Sequence, residues 1–443
     1  MSQSTDVPAQ FQGLFAPLNF ANFRNLLISN TLWWQAMWME MIVVGWLVYK
    51  LTNSAFDVAL IAFYRSIPLL ITGFIAGPLA NRYGRIRIVI FAQLLSVFVI
   101  GAITYLLWTN HLLFWHIAVG AALFGTSWSL NWTARRAIVP DLVGKHRTIE
   151  AMLLENLTQN IARVLGPFSS GYLYNSVGVN NCYLAILVIS LISFLIMLRV
   201  KVPSQPVEPN ANPWSLMREG LRYIRTSQPV MGALLITVIM NFLAFPYQTI
   251  LPIFTHDILH KGPFEYGILG ACNGIGAFFG LYILNILRKH LSHGWIFSLG
   301  SGFQSLCLFF FAFATTWTYT FTLFNGSYEV AFPLAILLLI LSGSGQAFFS
   351  VMQSAIMLTT TRDDMRDCAM GTLVLAIGTG PIGRLQIGSL TEAYGAPLAL
   401  GGHTSIAVVS IIVVTAALPG FRSRLATKKE EAILARDQDQ NLE

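Results

Sequence analysis

Twelve long apolar runs dominate the chain, and they constrain its fold more than any other feature. Gly, Pro and charged residues separate the runs, which predict spans near 25–49, 56–80, 86–108, 112–134, 149–175, 180–200, 229–254, 263–287, 295–316, 331–358, 368–391 and 398–418. A helix needs about 20 mostly apolar residues to cross a bilayer, and each run supplies them. Because 55% of the 443 residues are hydrophobic and only 11% are charged, no large soluble domain remains. The predicted fold class is an all-α membrane protein of twelve transmembrane helices in two pseudo-symmetric six-helix bundles.

Basic residues collect on one side of this arrangement. With the N-terminus placed inside, 22 of the 27 Lys and Arg residues fall in inner segments, Arg135 and Arg136 among them, and only Lys50 and Lys261 fall outside. Inner loops of membrane proteins carry this excess of positive charge, so both termini are predicted to be cytoplasmic. The net charge of +7 is spread among apolar runs and forms no basic groove. Nucleic acid is therefore not a predicted partner.

A proline-rich link divides the chain near its middle. The predicted parts are a cytoplasmic N-terminal segment, a first six-helix bundle, a cytoplasmic linker, a second six-helix bundle and a cytoplasmic tail, at 1–24, 25–200, 201–228, 229–418 and 419–443. In the linker, Trp214, Met217, Leu221 and Ile224 recur at helical spacing, with arginines on another face. This pattern favours an amphipathic helix at the cytoplasmic headgroups. The alternative is an ordinary solvated linker.

The two halves carry an internal repeat. Gly73 and Gly77 overlay on Gly276 and Gly280 at an offset of 203 residues, and further matches follow in the same order. Two six-span halves in the same orientation predict a binding site near the bilayer midplane, between the halves. Rocking of one half against the other would then move the solute across.

Ionisable residues inside the spans are scarce, and each costs about 3 kcal/mol on insertion scales. By helical rise, Glu40 lies about 15 Å from the outer end of span one, and Arg65 lies about 12 Å into the antiparallel span two. The matching depths predict a Glu40–Arg65 ion pair. Glu40 is then a candidate proton carrier, or the electrostatic partner of one, and Arg65 its counter-ion. The alternative is a static ion pair that positions two helices.

Polar and aromatic stripes mark the candidate binding residues. Asn30, Trp33 and Met37 share one helical face with Glu40, and span five carries a polar stripe that cannot face lipid. The predicted substrate-binding residues are Asn30, Trp33, Met37, Asn156, Asn160, Arg163, Asn241 and Arg384. Arg163 and Arg384 occupy nearly repeat-equivalent positions, which suits an anionic solute. Two alternatives remain open: the Trp33 face packs against other helices, and each arginine caps carbonyls within its own half.

The sequence offers little support for a nucleotide, catalytic, cofactor or metal site. No GxxxxGK[ST] loop is present, so ATP is not expected, and no catalytic arrangement or cofactor site stands out. The four cysteines lie far apart and imply neither a metal knuckle nor a disulfide framework. His256 and His260 have a spacing that a metal ion uses on a helical face, but two histidines in an outer loop are more often incidental.

The turn after span two carries the residues of a cytoplasmic gate. It contains Gly77, Asn81, Arg82, Gly84 and Arg85, and arginines at helix ends can contact carboxylates or helix C-termini when the gate closes. This segment resembles the signature loop of the major facilitator superfamily, with Asn81 where that family usually has Asp. The departure removes one charge from the supposed gate.

Further segments resemble one bacterial branch of that superfamily. They are NFRNLLISN, WLVYKLTNSAFDVAL, RRAIVPDLVGKHR and NIARVLGPFSSG. The branch includes the enterobactin exporters and the macrolide efflux pumps. In the last segment, Gly166, Pro167 and Gly171 resemble the antiporter motif of exporting members, with Ala162 in place of an expected Gly.

The resemblance implies a monomeric inner-membrane transporter that exports a small amphipathic solute, commonly in exchange for protons. Together with the arginines, it predicts an anionic or oxygen-rich, siderophore-like or drug-like solute. One alternative is a transporter of a divalent metal or a metal chelate. Another is a membrane receptor or enzyme that does not transport.

Overall fold

The computed structural model describes residues 15–202, 227–316, 320–323, 326–361 and 366–422. Side chains at 70–82, 137, 145, 320–323, 326–329, 358 and 366–371 are outside the description. The predicted linker helix lies outside the described residues, and so does most of the predicted C-terminal tail.

Five helices make up the first half. After a short 3₁₀ turn at Ala16–Asn19 they are α1 (Ala21–Thr52), α2 (Ala55–Tyr83), α3 (Arg85–Trp108), α4 (Phe114–Val143) and α5 (Thr148–Met197). A residue with positive φ stands at every break between them: Asn53, Gly84, Asn110 and Gly144. Glycine and asparagine adopt this backbone most readily, so the sequence sets where each helix stops.

Helix α5 contains two of the predicted spans. Gly178, with φ of 81° and ψ of 169°, breaks it into arms at 148–177 and 179–197. Two apolar arms joined at one glycine agree with the two runs seen in the sequence.

The second half has nine helices and two π-helical segments among its described residues. The helices are α6 (Gln228–Ile239), α7 (Tyr247–Ile253), α8 (Pro263–Leu287), α9 (His293–Ala314), α10 (Ala331–Thr359), α11 (Arg366–Ile377), α12 (Gly380–Tyr394), α13 (Ala396–Ala417) and α14 (Pro419–Arg422). The π segments, Met240–Ala244 and Phe254–Ile258, flank α7. Pro246 and Pro252 lie in this stretch, where the sequence predicts a kinked or broken span.

A short hairpin interrupts the helical pattern between α9 and α10. Strands β1 (Thr320–Leu323) and β2 (Gly326–Glu329) pair antiparallel, with Thr320 opposite Glu329 and Leu323 opposite Gly326. The sequence analysis assigns these residues to a loop, so the hairpin is an unpredicted element in a helical protein.

The chain divides into two compact units. Unit 1 comprises Met1–Leu51 and Tyr64–Asn210, and unit 2 comprises Thr52–Phe63 and Ala211–Glu443. The first turns of α2 therefore pack with the second half, although the sequence prediction places them in the first bundle. Within unit 2, α8, α9 and α10 pack together, and α13 packs on α9.

Eight helical stretches in the described part of the chain are long and apolar enough to cross a membrane. They are Arg85–Trp108, Thr148–Met197, Gln228–Ile258, Pro263–Leu287, His293–Ala314, Ala331–Met357, Thr372–Tyr394 and Ala396–Ala417. The broken α5 counts once among them. Helices α1, α2 and α4 also have 29 to 32 residues each. The total of twelve crossings stays a prediction.

Candidate functional site

Glu40 and Arg65 form an ion pair inside unit 1. The Arg65 guanidinium donates to the Glu40 carboxylate, and the exposed side-chain fractions are 13% and 3%. Helices α1 and α2 meet at the depth that residue counting predicts. Two opposite charges removed from water stabilise each other only when they are in contact, and here they are.

Close packing holds Arg65 in place. A Cβ atom added at Gly125 of α4 would lie 2.0 Å from the Arg65 carbonyl oxygen, so only glycine allows this approach. The adjacent Phe124 ring lies 5.1 Å below the Arg65 guanidinium. An aromatic face attracts a desolvated cation, which orients the arginine toward Glu40.

Tyr183 is a member of this site that the sequence analysis missed. Its side chain is fully buried, its hydroxyl has no hydrogen-bond partner, and it interacts electrostatically with both Glu40 and Arg65. A tyrosine at the end of an apolar span is common in membrane proteins. Nothing in the sequence pattern therefore distinguishes it.

The predicted α1 face is packed inside unit 1. Asn30, Trp33 and Met37 are all buried. The Trp33 indole N–H donates to Ser96 Oγ at 3.4 Å, and its ring stacks on Phe124 at 6.4 Å. These contacts favour the alternative in which Trp33 packs between helices.

A second buried ion pair lies on α4 and α5. Arg135 Nε donates to Glu155 Oε1 at 3.1 Å, and Arg135 Nη1 donates to Asn131 Oδ1 at 3.1 Å. Asn30 Nδ2 approaches the same Glu155 oxygen at 3.4 Å. The sequence analysis assigns Arg135 and Arg136 to an inner loop, and this is wrong: α4 continues to Val143, and Arg135 is 3% exposed.

The polar stripe predicted for span five lies on α5 and contains exposed and half-buried positions. Asn156 is exposed, and Asn160 Nδ2 donates to the Asn156 carbonyl oxygen at 2.8 Å. Arg163 is half-buried, with its guanidinium 5.6 Å from the Trp38 ring of α1. The stripe thus offers amide and guanidinium groups beside an aromatic surface.

In unit 2, Asn241 and Arg384 have backbone partners. Asn241 Nδ2 donates to the Thr237 carbonyl oxygen at 2.9 Å, next to the π segment. Arg384 Nη1 approaches the Ala62 carbonyl oxygen of α2 at 3.4 Å. A carbonyl contact for Arg384 agrees with the alternative that it caps backbone, although that carbonyl belongs to α2.

The turn between α2 and α3 is described only in part. Gly84 has φ of 87°, and Arg85 Nη1 pairs with Asp141 Oδ2 at 3.0 Å, which joins α3 to the end of α4 within unit 1. Gly77, Asn81 and Arg82 belong to α2, and their side chains lie outside the description.

His256 and His260 do not form a metal centre in the part of the chain that is described. His256 Nδ1 lies 2.6 Å from Asp257 Oδ1, and His260 is exposed. Among the described residues, no three His, Cys, Asp or Glu side chains come together as metal ligands.

Comparison with known proteins identifies a family and its relatives. The family model for transmembrane secretion effectors matches residues 12–441. A staphyloferrin A transporter of Staphylococcus aureus is 22% identical over 59% of this chain and 66% of its own length. The multidrug efflux pump Tap of Mycolicibacterium fortuitum is 24% identical over 81% of this chain and 86% of its own length. Macrolide efflux protein A of Streptococcus pyogenes is 22% identical over 57% of this chain and 63% of its own length.

Solved transporter structures share the fold. A POT family transporter in complex with 5-aminolevulinic acid has a TM-score of 0.73 at 11% identity and covers 93% of this chain and 99% of its own. A bacterial homologue of the iron transporter ferroportin, in an inward-facing state, has a TM-score of 0.66 at 14% identity and covers 89% of this chain and 98% of its own. At these identities the likeness establishes the fold alone.

Proposed function

Because the chain belongs to the transmembrane secretion effector family of the major facilitator superfamily, we propose that it exports a small amphipathic solute by proton antiport. The family and the structural neighbours are transporters and not enzymes. Relatives named for a siderophore, for several drugs and for macrolides support export.

The proposed topology is twelve spans in the bacterial inner membrane, with both termini in the cytoplasm. The positive-inside distribution of Lys and Arg supports this orientation. The internal repeat supports two bundles that rock about a midplane site. The chain acts as a monomer in this proposal, with the lipid bilayer, protons and the solute as its partners.

The buried Glu40–Arg65 pair is the observation that carries the proposal. Glu40 is 2% exposed and in contact with an arginine that Phe124 and Gly125 hold in place. Protonation of Glu40 breaks the pair, because a neutral carboxyl group no longer neutralises the guanidinium. A solute that binds only while the pair is intact therefore cannot bind together with the proton, and this competition couples the two in antiport.

The proposed solute carries a carboxylate, catecholate or phosphate-like group beside an apolar body. Arg163 supplies a bidentate donor to the anionic part, and Asn156 and Asn160 add polar contacts. The Trp38 ring, 5.6 Å from the Arg163 guanidinium, offers an apolar surface. Arg384 contributes from the repeat-related position.

Glu40→Gln tests the proposal. In proteoliposomes loaded with a fluorescent carboxylate-bearing amphiphile, we expect an imposed pH gradient to drive efflux through the unaltered protein. We expect Glu40→Gln to abolish pH-driven efflux and to preserve part of solute exchange, because the amide keeps the shape but cannot carry the proton.

Glu265→Gln is the matched control. Glu265 Oε2 accepts from the Gly262 N–H at the start of α8 in unit 2. The Glu265→Gln variant loses the same charge in a part of the chain that has no role in the proposed coupling. Unchanged pH coupling in Glu40→Gln would sink the assignment.

The alternatives receive less support. A divalent-metal transporter needs clustered ligands, and the described residues offer none around His256 and His260. A receptor or enzyme is at odds with a family and with neighbours that transport.

A further inference from the structure

We propose that Arg136, held on the ring of Trp132, is a second anion-binding site in unit 1 and that it binds the solute on the inner side, before Arg163 does. The ligand class is a carboxylate or a similar oxygen anion attached to an apolar body. The inference rests on the proposed export of an anionic amphiphile, and it adds an entry site to that proposal.

An aromatic pair holds the exposed side chain of Arg136. Its guanidinium lies 4.0 Å from the centroid of the Trp132 ring. Trp132 in turn packs edge to face on the buried Trp34 of α1, with the ring centroids 5.6 Å apart. A guanidinium that stacks by its face keeps the N–H groups of its edge available, and this edge binds a carboxylate through two parallel hydrogen bonds. The stack therefore orients Arg136 for an anion before the anion arrives.

The charges around Arg136 leave it without an ion pair in the described part of the chain. Glu155 interacts with Arg136 electrostatically, but the Glu155 carboxylate is in contact with Arg135, at 3.1 Å. Asp141, further along α4, is paired with Arg85 at 3.0 Å. The cluster of Arg135, Arg136 and Glu155 thus keeps one net positive charge. An anionic ligand can neutralise this charge without displacing an existing partner.

The position of Arg136 within unit 1 supports a solute-facing site. Glu155 of α5 accepts from Arg135 of α4 and approaches Asn30 of α1, at 3.1 and 3.4 Å, so three helices meet beside Arg136. Asn156, the next residue of α5, is exposed. Asn156 begins the polar stripe that is proposed to bind the solute. Arg136 therefore lies next to the inner end of that stripe.

Helical rise separates Arg136 from Arg163 in depth. Arg136 is seven residues before the end of α4, which is about 10 Å from that end. Arg163 is 15 residues after the start of α5, which is about 22 Å from that start. A short turn joins these two helix ends, so the arginines differ in depth by about 12 Å. In the proposed topology these ends are cytoplasmic, and a solute that enters from the cytoplasm meets Arg136 first.

Equilibrium binding tests the site without a pH gradient. The full chain is placed in phosphatidylcholine nanodiscs, and fluorescence anisotropy compares the affinity of a fluorescent carboxylate-bearing amphiphile with that of its methyl ester. Arg163→Gln removes the deeper site, so any remaining preference for the acid reports another one. We expect the Arg163→Gln variant to bind the acid about tenfold more tightly than the ester. Adding Arg136→Gln should remove this difference.

Arg147→Gln, also combined with Arg163→Gln, is the matched control. Arg147 directly precedes α5, and its guanidinium lies 5.3 Å from the Phe20 ring. Its replacement removes the same charge and a similar aromatic contact, and the preference for the acid should survive. Arg136→Lys keeps the charge but loses the stacked fork, so it should keep only part of the preference. Arg136 is exposed, and its replacement leaves the buried Arg135–Glu155 pair intact.

The outcomes separate the inner site from the proposed function. Equal affinity for the acid and the ester in the unaltered protein would overturn the anionic solute, and this site with it. A preference that Arg163→Gln alone abolishes, or that persists when Arg163 and Arg136 are both replaced, would overturn the inner site and leave the export proposal standing. The measurement is repeated with phosphatidylglycerol in the discs. Loss of the preference there would assign Arg136 to a lipid headgroup and would also overturn the inner site.

Discussion

At the residue scale, Arg65 and Arg135 have the same kinds of partner in the described part of unit 1. Arg65 and Arg135 each contact one carboxylate and one aromatic face. A buried charge is tolerated only with such partners. The free-energy cost of desolvating an unpaired ion exceeds the stabilisation that packing around it supplies. Stability at these sites therefore depends on both members of each pair.

Replacing Arg65 alone is expected to destabilise the protein. Arg65→Gln leaves Glu40 buried without its partner, which costs about 3 kcal/mol. Arg65→Gln combined with Glu40→Gln removes both charges and should recover most of the loss. Thermal unfolding in detergent measures both variants, and equal destabilisation in the single and double variants would argue against a mutual dependence.

Residue counting explains which site members the sequence predicts. Glu40 and Arg65 are isolated charges in apolar runs, so their depths are readable from helical rise. Arg135 sits beside Arg136, and adjacent arginines are typical of an inner loop. Both lie in α4, and only tertiary packing shows that Arg135 faces the interior, against Glu155. Tyr183 carries no charge that would mark it.

At the element scale, positive-φ residues set the lengths of the helices in unit 1. Gly178 has φ of 81° and separates the two arms of α5. A Cβ at this position meets no atom within 4 Å, so any effect of adding one comes from the backbone. This makes Gly178 a clean probe of conformational strain.

Gly178→Ala is expected to lower the stability of the helix pair. An L-residue at this backbone conformation, with positive φ and extended ψ, costs about 1 to 3 kcal/mol. We expect a lower unfolding temperature and an otherwise intact fold. Gly302→Ala, at a helical glycine with equally open surroundings, should show no such loss. A stable Gly178→Ala variant would mean that the break moves to another residue without cost.

Helix α2 begins on a carboxylate of α12, within unit 2. Glu392 Oε2 accepts from the Ala55 N–H at 2.9 Å and from the Phe56 N–H at 3.3 Å. A negative charge at a helix N-terminus satisfies the first amide groups and favours the helix dipole. The contact explains why this stretch of α2 belongs with unit 2.

Glu392→Ala should therefore loosen the start of α2. Loss of such a cap costs about 1 kcal/mol, which corresponds to about a fivefold faster amide exchange at Ala55 and Phe56. Hydrogen–deuterium exchange with peptide resolution measures it, and Ser389→Ala on the same helix serves as the control. Unchanged exchange at these amides would show that the carboxylate does not hold them.

The positions of the helices follow from the sequence more closely than the hairpin and the π-helical segments do. Apolar runs and their Gly or Asn boundaries agree with the helices from α1 to α5, except that α4 continues to Val143. The hairpin at 320–329 has a signature that the prediction missed, because Thr320-Phe321-Thr322-Leu323 alternates polar and apolar residues and Asn325-Gly326 follows. The π segments around α7 need local hydrogen-bond shifts that periodicity does not encode. Pro246 and Pro252 indicate a break near α7, but they do not indicate that the flanking segments are π-helical.

At the scale of the whole molecule, the chain consists of two units that are each packed internally. Unit 1 holds both buried ion pairs, while the described spans of unit 2 beyond its α2 segment hold no deep Asp or Glu. This asymmetry supports proton binding in unit 1, with Arg384 of unit 2 left to serve the solute. A division of roles between repeat-related halves is compatible with the proposed rocking cycle.

The charge of the solute is the last expectation at this scale. Arg163 and Arg384 come from repeat-related helices, and an anionic group relieves the cost of holding guanidinium groups away from water. At equal apolar size, carboxylate-bearing amphiphiles should inhibit efflux of the fluorescent carboxylate-bearing probe better than lipophilic cations do. Arg163→Lys loses bidentate geometry. One charge-assisted hydrogen bond is worth about 1.5 kcal/mol, so inhibition by the anions should weaken about tenfold. Exposed Arg199→Lys is the control, and preference for cations with an active Arg163→Ala would contradict the expectation.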